Sequence, residues 1–485
     1  MFAAGSDEDV LPRVEPPREA RSRSPPQRWG EQHPRSIQWH EWLRGFVAQA
    51  GMPQGQQARK LIIESMFTGM NPIAWSLAHG GIDVDDLIGA ECKEHARAFM
   101  RKNRVMPKQC YKDVIEMSAA GLAPSQPGYV RADIFVAGFP CQPYSSQARK
   151  KLEPTKHPLY KYSGVTFDHI LHTRPRVALL ENIVGFAQVA DYFGAMRSGL
   201  DLMQEKLGPV YHIGWSRMNL STWLDCSRPR LYIWLIAKDV GTSADCGAIG
   251  RQIRLLESSR PERFCARVED FMFKCGSDEW RRRVQLDLQC RGSLAVSRAV
   301  RSSTKGEQKA QGHIRSLTPV GAGRLMGLTG TPRQQAMYQA LVAARCAAKG
   351  CDATLPGSRA SALEGFKWDF SQNLPATRLC SQAAPSEGCS EVDPVLSRAV
   401  LGPLACMVRG SLPFSFEHDR VVMAEEMLRS HGWQIGAAVP DCSEIKDSDL
   451  QDLVGEMQAV QTLSAVVWST LAVLAPKLSG LFAHT

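Results

Sequence analysis

The sequence predicts an α/β chain organised around a doubly wound, mostly parallel sheet, and three observations carry that expectation. Lys60 to Met66 (KLIIESM) is a short apolar run followed by Phe67-Thr68-Gly69 and a helical stretch that Pro72 can open and Gly80-Gly81 can close. A second run, Leu87 to Ala90, ends at Glu91, about twenty residues after that turn, where doubly wound folds place an acid that grips ribose hydroxyls. A third, Ile134 to Ala137, is broken by Gly138 and leads directly to Cys141.

Length and composition set the outer bounds. With 485 residues and 44% hydrophobic content, the chain can bury a large core and is read as two domains plus tails. Its 14 cysteines form no C-x-x-C pair and no regular spacing, which argues against a zinc module or a disulfide framework. With no secretory leader recognised, a reducing, intracellular compartment is expected. The net charge of +9 suits a polyanionic partner, although many enzymes of neutral substrates are as basic.

In chain order, residues 1–35 hold six prolines, six arginines and six acids with almost nothing to bury, and read as a disordered tail. If its arginines serve import, the location is nuclear; a plain solvated extension is the alternative. Ile37 to Ala50 spaces Trp39, Trp42, Leu43 and Phe46 as an amphipathic helix. After the first two strands comes Lys112-Asp113-Val114, then the strand that ends at Gly138-Phe139-Pro140-Cys141-Gln142-Pro143. Prolines on both sides stiffen Cys141 and present it at the carboxyl end of a strand, where open α/β sheets keep their sites. A buried, inert thiol is the competing reading.

Lys150 to Lys161 is basic and punctuated by proline; it is either a solvated loop or a flap over a bound nucleotide. Val177 to Leu180 forms another apolar strand ending in Glu181-Asn182-Ile183. Asp191 to Leu207 reads as an amphipathic helix and Tyr211 to Asn219 as a strand. In Asp225 to Ala237 (DCSRPRLYIWLIA), Arg228 and Arg230 alternate, so both project from one face at the mouth of a strand.

These stretches, in this order, resemble the cytosine carbon-5 DNA methyltransferases. GFPCQPYS is similar to that family's Pro-Cys-Gln loop, Glu181-Asn182-Ile183 to its Glu-Asn-Val, and Arg228-x-Arg230 to its Gln-x-Arg-x-Arg, with Cys226 where Gln is usual. Phe67-x-Gly69, Glu91 and Asp113 resemble its S-adenosylmethionine site, with Asn71 where a second glycine is usual. Asn tolerates left-handed backbone, so the turn can survive.

The resemblance implies a Rossmann-like S-adenosylmethionine-dependent methyltransferase sheet with a small inserted target-recognition domain. It implies Cys141, Glu181, Arg228 and Arg230 as catalytic residues. Phe67, Gly69, Glu91, Asp113 and Pro140 are implied to bind S-adenosyl-L-methionine, with DNA as partner and no metal. Methyl transfer to carbon 5 of cytosine would pass through a covalent Cys141 adduct, with Glu181 supporting ring nitrogen 3. Transfer RNA as substrate, as in one branch of the family, and a decayed nucleic-acid-binding relative are the alternatives.

The catalytic core is expected over 36–237. A basic recognition insertion follows over 238–314; within it, Arg251 to Lys309 carries 14 Lys or Arg against 8 acids, suited to phosphate contact or simply to solvation. The core resumes over 315–378, where Arg315 to Leu328 is similar to the family's Arg-x-Leu-Thr…Arg-Leu-x-Gly segment and Gln372-Asn373-Leu374-Pro375 echoes its last motif. Residues 379–485 are expected to form a helical extension, with apolar Ala459 to Ala475 as a packing helix rather than a membrane span.

Overall fold

The computed structural model describes residues 34–49, 57–145, 153–260 apart from 193, 267–273, 277, 341–369 apart from 353 and 365, 404, 413–417, 420–433, 439–478 apart from 444, and 481. The amino-terminal tail, Arg281-Arg282-Arg283, Arg315 to Leu328 and Gln372 to Pro375 lie outside these residues.

The nine strands of the first half are β1 (Leu61–Met66), β2 (Val84–Ala90), β3 (Gln109–Tyr111), β4 (Ile134–Ala137), β5 (Val177–Asn182), the short pair β6 (Ala190–Tyr192) and β7 (Ala195–Arg197), β8 (Tyr211–Asn219) and β9 (Pro229–Ala237). All but β6 and β7 join one seven-stranded sheet in the order β3-β2-β1-β4-β5-β9-β8. The first five strands of that order pair in parallel, whereas β9 runs antiparallel between β5 and β8. The mostly parallel α/β sheet expected from sequence is therefore present.

Alternation along the strands gives each face its own core. Ile134 and Val136 of β4 join one cluster, while Phe135 and Ala137 join the other. On the first face lie α1 (Pro34–Gln49), α2 (Pro72–His79), α3 (Glu94–Lys102) and α7 (Ser243–Ser258); on the second lie α4 (Val114–Ala120), α5 (Lys161–Thr173) and α6 (Gly199–Leu207). The amphipathic stretch at the start packs as expected, with Trp39, Leu43 and Val47 buried in α1.

Three expectations need correction. Asp191 to Leu207 is not one helix: β6 and β7 form a hairpin across Gly194, whose φ of +83° suits glycine. The helix starts afresh at α6, where Ser198 and Asp201 form a reciprocal capping box. Second, α7 begins at Ser243 but packs against β8 and β9, so the start of the expected insertion belongs to the core.

Third, the end of the chain is not an added extension. The helix α8 (Asp447–Glu456) packs against α3, and α9 (Val460–Leu474) lies between α7, α2 and α1. Nearly every side chain of α9 is buried. Its polar residues explain why it is a core helix. Gln461 Nε2 donates to the Ser430 carbonyl at 2.7 Å, Thr462 meets the Tyr232 hydroxyl at 2.6 Å, and Ser464 meets Ser76 at 2.5 Å. Gly80 permits the close approach, because a Cβ there would lie 2.0 Å from the Trp468 ring. Among the described residues, no single helix is long and apolar enough to cross a membrane.

A second, three-stranded sheet joins β10 (Lys367–Asp369), β11 (Pro413–Ser415) and β12 (Arg420–Val421). It is tied to the first half through the ion pair of buried Lys367 with Asp225 at 2.9 Å, and Leu404 bridges Cys226 in parallel. Cys226 itself is fully buried in the core, which accounts for its apolar character at a position where the resemblance suggested Gln.

Candidate active site

The parallel strands β1, β2, β4 and β5 all end on one edge of the sheet. Because β9 is antiparallel, its beginning meets the same edge: Glu181 pairs with Tyr232 and Asn182 with Leu231, so Arg230 enters beside Glu181. A cavity of about 730 Å³ opens at this edge. Phe67, Gly69, Glu91, Pro140, Cys141, Glu181, Arg228 and Arg230 all line it.

At the β1 end, Phe67, Gly69 and Asn71 all adopt positive φ, at 53°, 57° and 60°. Asn71 supplies what the sequence required of it. Its backbone is left-handed, its Oδ1 accepts from Ala74 N–H at 3.3 Å to cap α2, and its Nδ2 donates to Asp86 and to the Val105 carbonyl at 2.5 and 2.7 Å. The Glu91 carboxylate then fastens the turn, accepting from Gly69 N–H and Lys93 N–H, each at 2.8 Å. Oε1 also accepts from the Cys92 thiol at 3.7 Å, while Oε2 keeps a further lone pair for a ligand.

The Cys141 carbonyl accepts from Tyr144 N–H at 3.0 Å, and its neighbours brace the loop around it. It precedes a short turn, Gln142–Tyr144, whose Tyr144 hydroxyl donates to Ser163 at 3.1 Å. The Phe139, Tyr144, Phe167 and Phe186 rings meet edge to face beneath the loop at 4.9–6.3 Å. Asn182 braces the loop directly, its Nδ2 donating to the Phe139 carbonyl at 3.2 Å. Glu181, one residue earlier, pairs with Arg230 Nε at 2.9 Å.

Burial raises the Cys141 thiol above the ordinary value and the Glu181 charge adds to the effect, while Arg230 and Arg228 pull the other way without cancelling it. The free site thus rests with a neutral thiol at pH 7. Carbamidomethylation of Cys141, followed by mass spectrometry, should therefore rise about tenfold per pH unit from pH 7 to 9. A rate that levels off below pH 8 would show that the arginines dominate.

Two expected site residues behave differently. Asp113 does not line the cavity; its carboxylate caps α4 by accepting from Ile115 N–H at 2.9 Å. Arg228 lines it but is only 3% exposed, and its guanidinium donates to the Gly455 carbonyl at 3.3 and 3.4 Å and to that of Met457 at 2.6 Å. Through these bonds it holds a segment of the chain's end against the cavity.

That segment is what sequence reasoning missed. Leu453, Gly455, Glu456 and Met457 line the cavity, as do Cys92, Lys93 and Gln188. Gly455, next to last in α8 and shortly before the apolar α9, was the local signal available. Among the described residues, no group of His, Cys, Asp and Glu could hold a metal ion.

Residues 61–245 match the family model described as C-5 cytosine-specific DNA methylase. This segment is a C-5 cytosine methyltransferase domain. The match covers every strand of the seven-stranded sheet and all four residues proposed for catalysis, but stops far short of Leu453 and α9. No curated protein matches the chain.

Several solved structures are similar to the chain that carries this methyltransferase domain. The Dnmt2 methyltransferase of S. pombe is 12% identical, with a TM-score of 0.45 over 86% of this chain and 99% of that one. A putative DNA modification methyltransferase encoded within a prophage of E. coli is 12% identical, with a TM-score of 0.44 over 86% of this chain and 100% of that one. The methyltransferase EhMeth of Entamoeba histolytica is 10% identical, with a TM-score of 0.43 over 85% of this chain and 98% of that one.

Proposed function

We propose that the protein methylates carbon 5 of cytosine in DNA, with S-adenosyl-L-methionine as donor and Cys141 as the covalent nucleophile. One observation carries this reading: Cys141, Glu181 and Arg230 converge on the cavity that Phe67, Gly69 and Glu91 share.

The residues present fit the donor. Phe67, Met70, Leu453 and Met457 offer apolar surface to an adenine, and the Glu91 carboxylate is placed for ribose hydroxyls. When bound there, S-adenosylmethionine supplies an electrophilic methyl group.

The chain's own residues supply the rest. The base must leave the duplex to reach Cys141, at a cost of a few kcal/mol. The Cys141 thiol gives up its proton to solvent, Sγ adds to carbon 6, and the displaced electron pair is drawn toward ring nitrogen 3, where the Glu181 carboxyl group supports a proton. Arg230 fixes Glu181 in that position and places a positive charge beside the base. Carbon 5, now electron-rich, takes the methyl group. Loss of its proton returns a pair to the ring and expels the Cys141 thiolate, so the double bond is restored and the thiol is regenerated.

Incubation of duplex DNA with the protein and S-adenosylmethionine, followed by bisulfite sequencing, should reveal new 5-methylcytosine. Transfer RNA added as competitor should leave the DNA product unchanged. Methylation found in the RNA alone would assign the RNA substrate, and methylation of neither would return the chain to a decayed, binding-only relative.

A further inference from the structure

The wall of the cavity opposite the sheet comes from a segment outside the matched domain. Glu456 lies in it, between Gly455 and Met457, and Lys93 faces it from the end of β2. Lys93 Nζ donates to the Glu456 carboxylate, joining positions 363 residues apart.

Neither partner hangs loosely from the surface. The Lys93 backbone N–H is fixed by Glu91 Oε1 at 2.8 Å, and the other oxygen of Glu91 holds Gly69. On the opposite side, the carbonyls flanking Glu456 are both taken by Arg228. Gln458 fills the space beside Gly138, in the loop that delivers Cys141. Contacts therefore run unbroken from the glycine turn through Glu91, Lys93 and Glu456 to the segment that Arg228 anchors.

We propose that Lys93 and Glu456 are positioning residues that latch Gly455–Met457 across the cavity, as the second wall of the site for the nucleoside part of the methyl donor. The latch rests on the cofactor reading above. Exposed ion pairs generally contribute little, because two long side chains must be ordered and water screens the charges. Here backbone hydrogen bonds already fix both ends, so the pair sets the position of a binding wall at a smaller entropic cost. The side chains remain 23% and 41% exposed, so the latch loosens with salt.

Calorimetry on the full chain with S-adenosylhomocysteine as probe tests this. Lys93→Glu and Glu456→Lys each place like charges across the cavity and should weaken binding by about tenfold or more. The double exchange, Lys93→Glu with Glu456→Lys, should recover the parent affinity to within about threefold, which a residue important only for folding would not allow. Moving from low to high salt should weaken the probe's binding to the parent, and a Lys93→Gln, Glu456→Gln variant should lose that response. Equal affinity in the parent and both reversals, or losses that the exchange does not recover, would overturn the latch alone. An unaltered chain that fails to bind the probe would overturn the cofactor reading and the latch with it.

Discussion

Cys141→Ser is expected to abolish a covalent adduct that the unaltered protein forms with 5-fluorocytosine. Once Sγ has added to carbon 6 and the methyl group has arrived, release requires the substituent at carbon 5 to leave as a cation. A proton can do so and fluorine cannot. An oligonucleotide with 5-fluorocytosine at an accepted site should then remain attached to the protein under denaturing conditions, and only when S-adenosylmethionine is present. A serine hydroxyl is far less acidic and less nucleophilic than a thiol, so the substituted protein should give no adduct while still binding DNA. An adduct that maps by peptide sequencing to Cys92, the other thiol lining the cavity, would remove Cys141 from its role.

The second large effect is expected from Glu181→Gln. The change keeps the shape of the side chain and an oxygen for Arg230, but removes the group that can pass a proton to nitrogen 3. General acid catalysis of this kind typically contributes 10²–10⁴-fold, so single-turnover methyl transfer should slow by roughly that factor. Binding of S-adenosylhomocysteine should be unchanged, because the cofactor's ribose is assigned to Glu91 and the Glu181 carboxyl group to the base. A variant that transfers methyl at the parent rate would show that nitrogen 3 is served by another group.

Much of this site was legible because its residues stand at strand ends, and strand ends are marked locally. Gly138 stops an apolar run, and the prolines around Cys141 announce a stiff loop. Asn71 could be read as a left-handed residue, and it is one. Arg228 and Arg230 could be placed on one face by alternation, and both do face the cavity. Alternation could not say which of them would be consumed by backbone carbonyls, since Arg228's acceptors lie 227 and 229 residues further along. Asp113 shows the force of local bonding: an acid just before a helix has an ordinary task as its cap, and Asp113 performs it. The helix expected over Asp191 to Leu207 failed for a similar reason, because Gly194 and the Ser198–Asp201 box impose a turn that averaged hydrophobicity does not register.

The hydrogen bond between Ser76 and Ser464 joins residues 388 positions apart, near the two ends of the described chain. Loop closure over such a span is slow, and it is impossible until both partners have left the ribosome. During synthesis, the sheet is finished long before α9 emerges, so the part of that apolar face which α9 covers waits while nearly half of the chain is made. That interval is a hazard for self-association and an opening for a chaperone.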